Sequence, residues 1–120
     1  MTDVDIRAAA APRNTPSPLP DPELLREWIG YDPETGHTWW KRGGSGVKKG
    51  QACGNIMPSG HVRIKFKGKL YLAHRLIYRM VYGVDPGPLQ VDHVNRNGSD
   101  NRIINLRLVT QAQNLQNSNL

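Results

Sequence analysis

The sequence predicts an α+β fold: a small basic antiparallel sheet plus a helix, followed by a C-terminal hairpin–helix unit. Three observations predict it. Residues 61–67 alternate apolar and polar in strict period two, the signature of a half-buried strand. From Ala73 the period changes to that of a helix. Two short apolar stretches, 89–94 and 106–109, flank a turn-rich segment and lead to Thr110, a good N-cap for a last helix. The chain of 120 residues is long enough for one modest domain, or two very small ones sharing a core. Three regions are expected: an arm over 1–20, a basic sheet-plus-helix region over 21–84, and the hairpin–helix unit over 85–120.

In order along the chain, the arm carries Pro12, Pro16, Pro18 and Pro20 with little bulky apolar content, so it cannot bury enough surface to offset ordering and reads as disordered. Order begins at Asp21, an N-cap followed by Pro22 at the first helical position. Leu24, Leu25, Trp28 and Ile29 form the helix stripe, and Gly30 stops it. The turn Tyr31–Gly36 leads into a strand over His37–Trp40, and a Gly/Lys-rich loop runs from Gly43 to Gly54. In the strand His61–Lys67, Val62, Ile64 and Phe66 share one face, and His61, Arg63, Lys65 and Lys67 the other. Gly68-Lys69 is a tight turn into the strand Leu70–Leu72. Ala73, Leu76, Ile77, Met80 and Val81 make a helical stripe that Gly83 caps, and Asp85-Pro86-Gly87-Pro88 is a stiff connector. In the last helix, starting at Gln111, Ala112 and Leu115 point inward.

Charge narrows the function. Between Thr35 and Val84 there is no Asp or Glu, while the same stretch holds Lys41, Arg42, Lys48, Lys49, Arg63, Lys65, Lys67, Lys69, Arg75 and Arg79. So many cations without anions repel one another, and phosphate backbone is the partner that relieves the repulsion. Arg63, Lys65, Lys67, Lys69, Arg75 and Arg79 are the expected contacts to double-stranded DNA, through a ribbon that enters a groove or tracks phosphates. Lysines that guard a sheet edge from pairing are the bland reading of the same residues. No apolar run approaches the ~20 residues of a membrane span, and Asp3, Asp5 and Arg7 interrupt any signal core, so no membrane partner and a cytoplasmic location are expected. Cys53, the single cysteine, excludes an internal disulfide and a multi-thiolate zinc site. No coiled-coil or dimer stripe is visible, which favours a monomer.

The chemistry lies in the last third. Asp92-His93 is followed by Asn105 twelve residues after the histidine and by Asn114 nine residues later. His93, with an ordinary pKa of ~6.5, suits proton removal from water near neutrality. Asp92 and the amide oxygen of Asn114 are hard oxygen donors that suit one Mg²⁺ (or Mn²⁺) ion per site, and asparagine disfavours zinc relative to histidine. On a regular strand Asp92 and His93 point to opposite faces, so a bend is needed to bring both to one phosphate.

This order and spacing resembles the ββα-metal motif of HNH endonucleases. Tyr71-Leu72-Ala73-His74-Arg75-Leu76 and the stretch from Asp100-Asn101-Arg102 through Asn105-Leu106-Arg107 to Thr110 are similar to small phage and intron-encoded members, over roughly residues 31–117. Asn114 stands where many relatives carry histidine. The resemblance implies a metal-dependent endonuclease that hydrolyses DNA phosphodiester bonds, phage or mobile-element encoded, leaving 5′-phosphate and 3′-hydroxyl ends. It implies His93 and Asn105 as catalytic residues, with Asn105 bracing the loop and orienting His93, Asp92 and Asn114 as metal ligands, and Arg107 as a phosphate clamp that Arg102 or Arg96 assists. The alternative is a sequence-tolerant DNA-binding protein, its sheet similar to the plant AP2 type, with an inactive HNH remnant. A weaker third reading is an RNA-binding or phage assembly protein. His74 reads as a packing residue or a donor to a carbonyl. His37 and His61 read as exposed strand residues, Trp28, Tyr31, Trp39 and Trp40 as core, and Asp100 as a cap or turn residue.

Overall fold

The computed structural model describes residues 18–44, 46–110 and 112. It has a mixed α+β fold with three small antiparallel sheets. Helix α1 (Pro22–Trp28) begins as its sequence dictates: the Asp21 carboxylate accepts the Glu23 N–H at 2.9 Å. That bond satisfies one of the helix's orphan donors. The helix does not run to Gly30. Ile29 is already extended and opens strand β1 (Ile29–Tyr31), which pairs with β2 (Thr38–Trp40) in the register Ile29–Trp40, Gly30–Trp39, Tyr31–Thr38. Gly30 is needed for space rather than for a helix stop. A Cβ there would run into the Trp39 indole, which covers the glycine across the strand pair. Trp39 is therefore 37% exposed instead of being core, while Trp40 is buried.

Directly after the expected loop comes a two-residue strand, β3 (Asn55–Ile56), which completes a sheet of order β3-β4-β5 with β4 (Val62–Phe66) and β5 (Lys69–Leu72). The alternation in β4 is realised: Ile64 and Phe66 are buried, Arg63 and Lys65 exposed. The tight turn sits one residue earlier than expected. Lys67 and Gly68 have φ of 48° and 84°, the double left-handed geometry of a two-residue hairpin loop, so Lys67 leaves the strand and its Nζ stands 4.4 Å from the Trp28 ring centroid.

Helix α2 (Ala73–Tyr82) packs on this sheet through Ala73, Leu76, Ile77 and Met80, and ends at Gly83 in the left-handed region with its N–H on the Arg79 carbonyl. The chain closes with β6 (Gln90–His93), a 3₁₀ turn (Ile103–Asn105) and β7 (Leu106–Val109), in the register Val91–Leu108, Asp92–Arg107, His93–Leu106. One hydrophobic cluster joins Leu25, Ile29, Ile64, Phe66, Leu76, Ile77, Val91 and Leu106, so the residues on both sides of position 85 share a core. Leu115 and most of the expected last helix lie outside the described residues, and Ala112 is helical but exposed, not inward. Among the described residues no helix is long and apolar enough to cross a membrane.

Candidate active site

Strand β6 places its residues by simple alternation. Val91 and His93 are buried, Gln90 and Asp92 only partly so. Pairing with β7 is regular through Asp92 and His93, with no bulge, so the expected bend is absent and the two side chains take opposite faces of the hairpin. On the outer face Arg107, directly across the strand pair, donates from Nε (3.1 Å) and from a terminal nitrogen (3.0 Å) to one oxygen of Asp92.

His93 is 5% exposed. Its Nε2–H donates to the amide oxygen of Asn101 at 2.8 Å. An amide oxygen only accepts, so Nε2 carries the proton and Nδ1 keeps its lone pair. Burial lowers the His93 pKa, opposed by the Asn101 hydrogen bond, and His61 lowers it further. A neutral imidazole with an available lone pair is the state a general base requires.

Two other histidines join it. Ring centroids lie 4.5 Å apart for His74 and His93, 5.5 Å for His61 and His74, and 5.6 Å for His61 and His93. Sequence spacing could not show this convergence, because His61 comes from the turn before β4 and His74 from the first turn of α2. His61 is not a simple strand residue: its Nδ1 meets Ser59 Oγ at 3.1 Å and its ring touches the Gly98 turn. His74 is 5% exposed and hydrogen-bonds the backbone of Val91, as expected of a packing residue, while its Nδ1 has no partner among the described residues.

The turn between β6 and β7 is held by amides. Asn105 accepts the Asn95 N–H (2.9 Å) and donates from Nδ2 to Asn95 Oδ1 (2.9 Å) and to the Asp100 carbonyl (2.8 Å). Asn105 thus braces the loop, but the His93 ring donates its hydrogen bond to Asn101 and not to Asn105. Asp100 accepts two 2.8 Å bonds from Arg102, and this pairing holds its carboxyl well below the usual carboxylate range. It is the turn residue expected.

The cations divide into two sets. Arg63, Lys65, Lys67 and Lys69 are exposed along β4, β5 and the turn between them. Arg75 instead donates to the carbonyls of Leu89 (3.0 Å) and Gly87 (3.1 Å), and Arg79 to those of Pro20 (3.1 Å) and Gly83 (3.0 Å). These two guanidiniums tie chain segments together.

The expected Mg²⁺ or Mn²⁺ site is not borne out. Among the described residues no group of three or more His, Cys, Asp or Glu side chains is arranged to hold a metal ion. Asp92 is engaged by Arg107, its neighbour His93 faces the other way, and Asn114 lies outside the described residues. The three histidines pack ring against ring and form no such group either.

Comparison with known proteins agrees with the hairpin's geometry. Residues 71–116 match the sequence model of the HNH endonuclease family. The fold is similar to a solved structure of the HNH homing endonuclease I-HmuI, a protein that binds and cleaves DNA, with a TM-score of 0.60 and 28% identity over 82% of this chain. The similarity spans 56% of that protein's chain. No curated protein matches. Asp92, His93, Asn101 and Asn105 all fall inside the segment that is similar to the HNH endonuclease family.

Proposed function

We propose that this protein is a DNA endonuclease in which His93 is the general base and the β3-β4-β5 sheet grips the duplex. One observation carries the reading: within the segment that matches the HNH family, a buried histidine has one nitrogen committed to Asn101 and the other left with its lone pair. Nδ1 takes a proton from water as the oxygen attacks phosphorus, and the bond to the 3′ oxygen breaks; that oxygen takes a proton from a second water, leaving 5′-phosphate and 3′-hydroxyl ends. Arg63, Lys65, Lys67 and Lys69 supply the phosphate contacts that position the duplex.

A plasmid-nicking assay on the full chain, run with and without added divalent cations, tests this directly. His93→Ala lowers the nicking rate by about 10²–10⁴-fold, the usual worth of a general base, with duplex affinity unchanged. An undiminished rate in that variant overturns the assignment. A second reading, DNA binding without cleavage, is favoured by the pinned Asp92 carboxylate and the low exposure of His93. It predicts salt-sensitive duplex binding by the wild type and no nicking under any of these conditions.

A further inference from the structure

The His93 ring is held by a residue that is itself held from the other end of the chain. Asn101 is 4% exposed. Its side chain accepts from His93, and its main-chain carbonyl accepts the Tyr31 hydroxyl of β1. The turn joining β1 and β2 lies against the same segment. The Ile103 N–H donates to the Pro33 carbonyl at 3.2 Å. Gly36 is buried with φ of +81°, and a Cβ there would stand 2.6 Å from both Asn101 C and Arg102 N, so the two backbones pass in direct contact. The turn is stiff in its own right: Gly36 N–H donates to the Asp32 carbonyl (2.7 Å), Asp32 N–H to the His37 carbonyl (3.0 Å) and Glu34 N–H to the Asp32 carboxylate (3.0 Å). None of Tyr31, Pro33 and Gly36 belongs to the segment that matches the HNH family.

From this contact set we propose that Asn101 is the positioning residue for His93, and that the β1–β2 hairpin, through Tyr31 and Gly36, holds Asn101 in place. The terminal torsion of an imidazole is broad, and either ring nitrogen can carry the proton of the neutral form. A fixed acceptor at Nε2 settles both at once, directing the Nδ1 lone pair to one place. Asn105 cannot do this, because its oxygen and both its donated bonds go to Asn95 and Asp100. The consequence is that the N-terminal hairpin is part of the catalytic apparatus, not merely a neighbour of it.

The inference rests on His93 acting as the base, but its first readout does not require cleavage. Long-range ¹H–¹⁵N correlation spectra of the full chain near neutral pH report which His93 nitrogen is protonated. The wild type shows the Nε2–H form. Asn101→Ala shows a mixture of tautomers, and Asn101→Asp, which keeps an acceptor oxygen, restores the Nε2–H form. In the nicking assay Asn101→Ala lowers kcat roughly 10–100-fold, as loss of an orienting hydrogen bond does, with KM for DNA little changed. Tyr31→Phe, a smaller change that carries the test if Asn101→Ala fails to fold, gives a partial loss of both. A wild-type tautomer and wild-type kcat in Asn101→Ala, or in a folded Tyr31→Phe, overturns the proposal. Tautomer shifts in these variants of a chain that never nicks DNA would uphold the positioning role while removing the nuclease reading.

Discussion

His74 shows what a single buried side chain does to this protein's response to acid. Its pKa is pushed down to about 3, first by burial, then by His93, His61 and Arg75 nearby, against a small upward pull from the Val91 backbone. His93 is lowered for the same leading reason. A histidine whose folded pKa lies below its unfolded value of ~6.5 is neutral in the folded state while the unfolded chain takes up the proton. The folded state therefore keeps its full stability above about pH 6.5 and loses it progressively as pH falls toward 3. The limiting slope is about 1.4 kcal/mol per pH unit for each such histidine. His74→Leu replaces the ring by an apolar group that takes up no proton, so melting temperature measured between pH 6.5 and 4 falls less steeply in the variant than in the wild type. Parallel curves would show that His74 is not the group being protonated. Asp100, held down by Arg102, loses its contribution only at lower pH, below the ordinary carboxylate value, and does not blur that window. At this scale the sequence was informative about neighbours on one strand: the alternation that sets Asp92 opposite to His93 follows from adjacency alone. It could not reveal that His61, His74 and Asn101 meet His93, because each arrives from a different element and the contact depends on how those elements pack.

At the scale of elements, legibility followed length. β4, α2 with its Gly83 cap and the Asp21 cap of α1 each carry a local signal strong enough to survive folding. β1 and β3, of three and two residues, are strands only because a partner pairs with them. Ile29 fits the stripe of α1 equally well until Trp40 is placed opposite it. Burial also sorts cations that look alike in sequence. Arg63, Lys65 and Lys69 stand in water, whereas Arg75 and Arg79 satisfy carbonyls of the connector, the chain before α1 and the cap of α2. Each exposed cation that neutralises a phosphate steepens the fall of log K with log salt by about 0.9. Lys65→Ala and Lys69→Ala each reduce that slope by about this amount in anisotropy titrations with duplex DNA, at unchanged melting temperature. Arg75→Ala and Arg79→Ala do the reverse, lowering melting temperature and leaving the slope alone. A slope indifferent to Lys65 and Lys69 would place the DNA on another face.

For the whole molecule the question is whether the region after residue 84 is a unit of its own. A two-stranded hairpin is marginal in water without a face to pack on. Of β6 and β7, Val91 and Leu106 enter the common core, and their neighbours there are Leu25 and Ile29 from the N-terminal elements and Ile64, Leu76 and Ile77 from the sheet and α2. Polar ties follow the same routes: Leu19 N–H to Asp85, Arg79 to the Pro20 carbonyl, Arg26 to the Met80 carbonyl, Tyr31 to the Asn101 carbonyl. A chain of this size with one core unfolds as one unit, so the full protein shows a single thermal transition by circular dichroism, with the same midpoint from tryptophan fluorescence. A fragment beginning at Tyr71, which retains every residue of the family match, loses α1, both strands of the first hairpin and β4, and with them most of the surface that α2 and β6 bury. It shows no cooperative transition, and its His93 has no fixed acceptor. A folded fragment with its own sharp melt would mean instead that the hairpin carries enough core by itself, and that the N-terminal elements serve DNA binding alone.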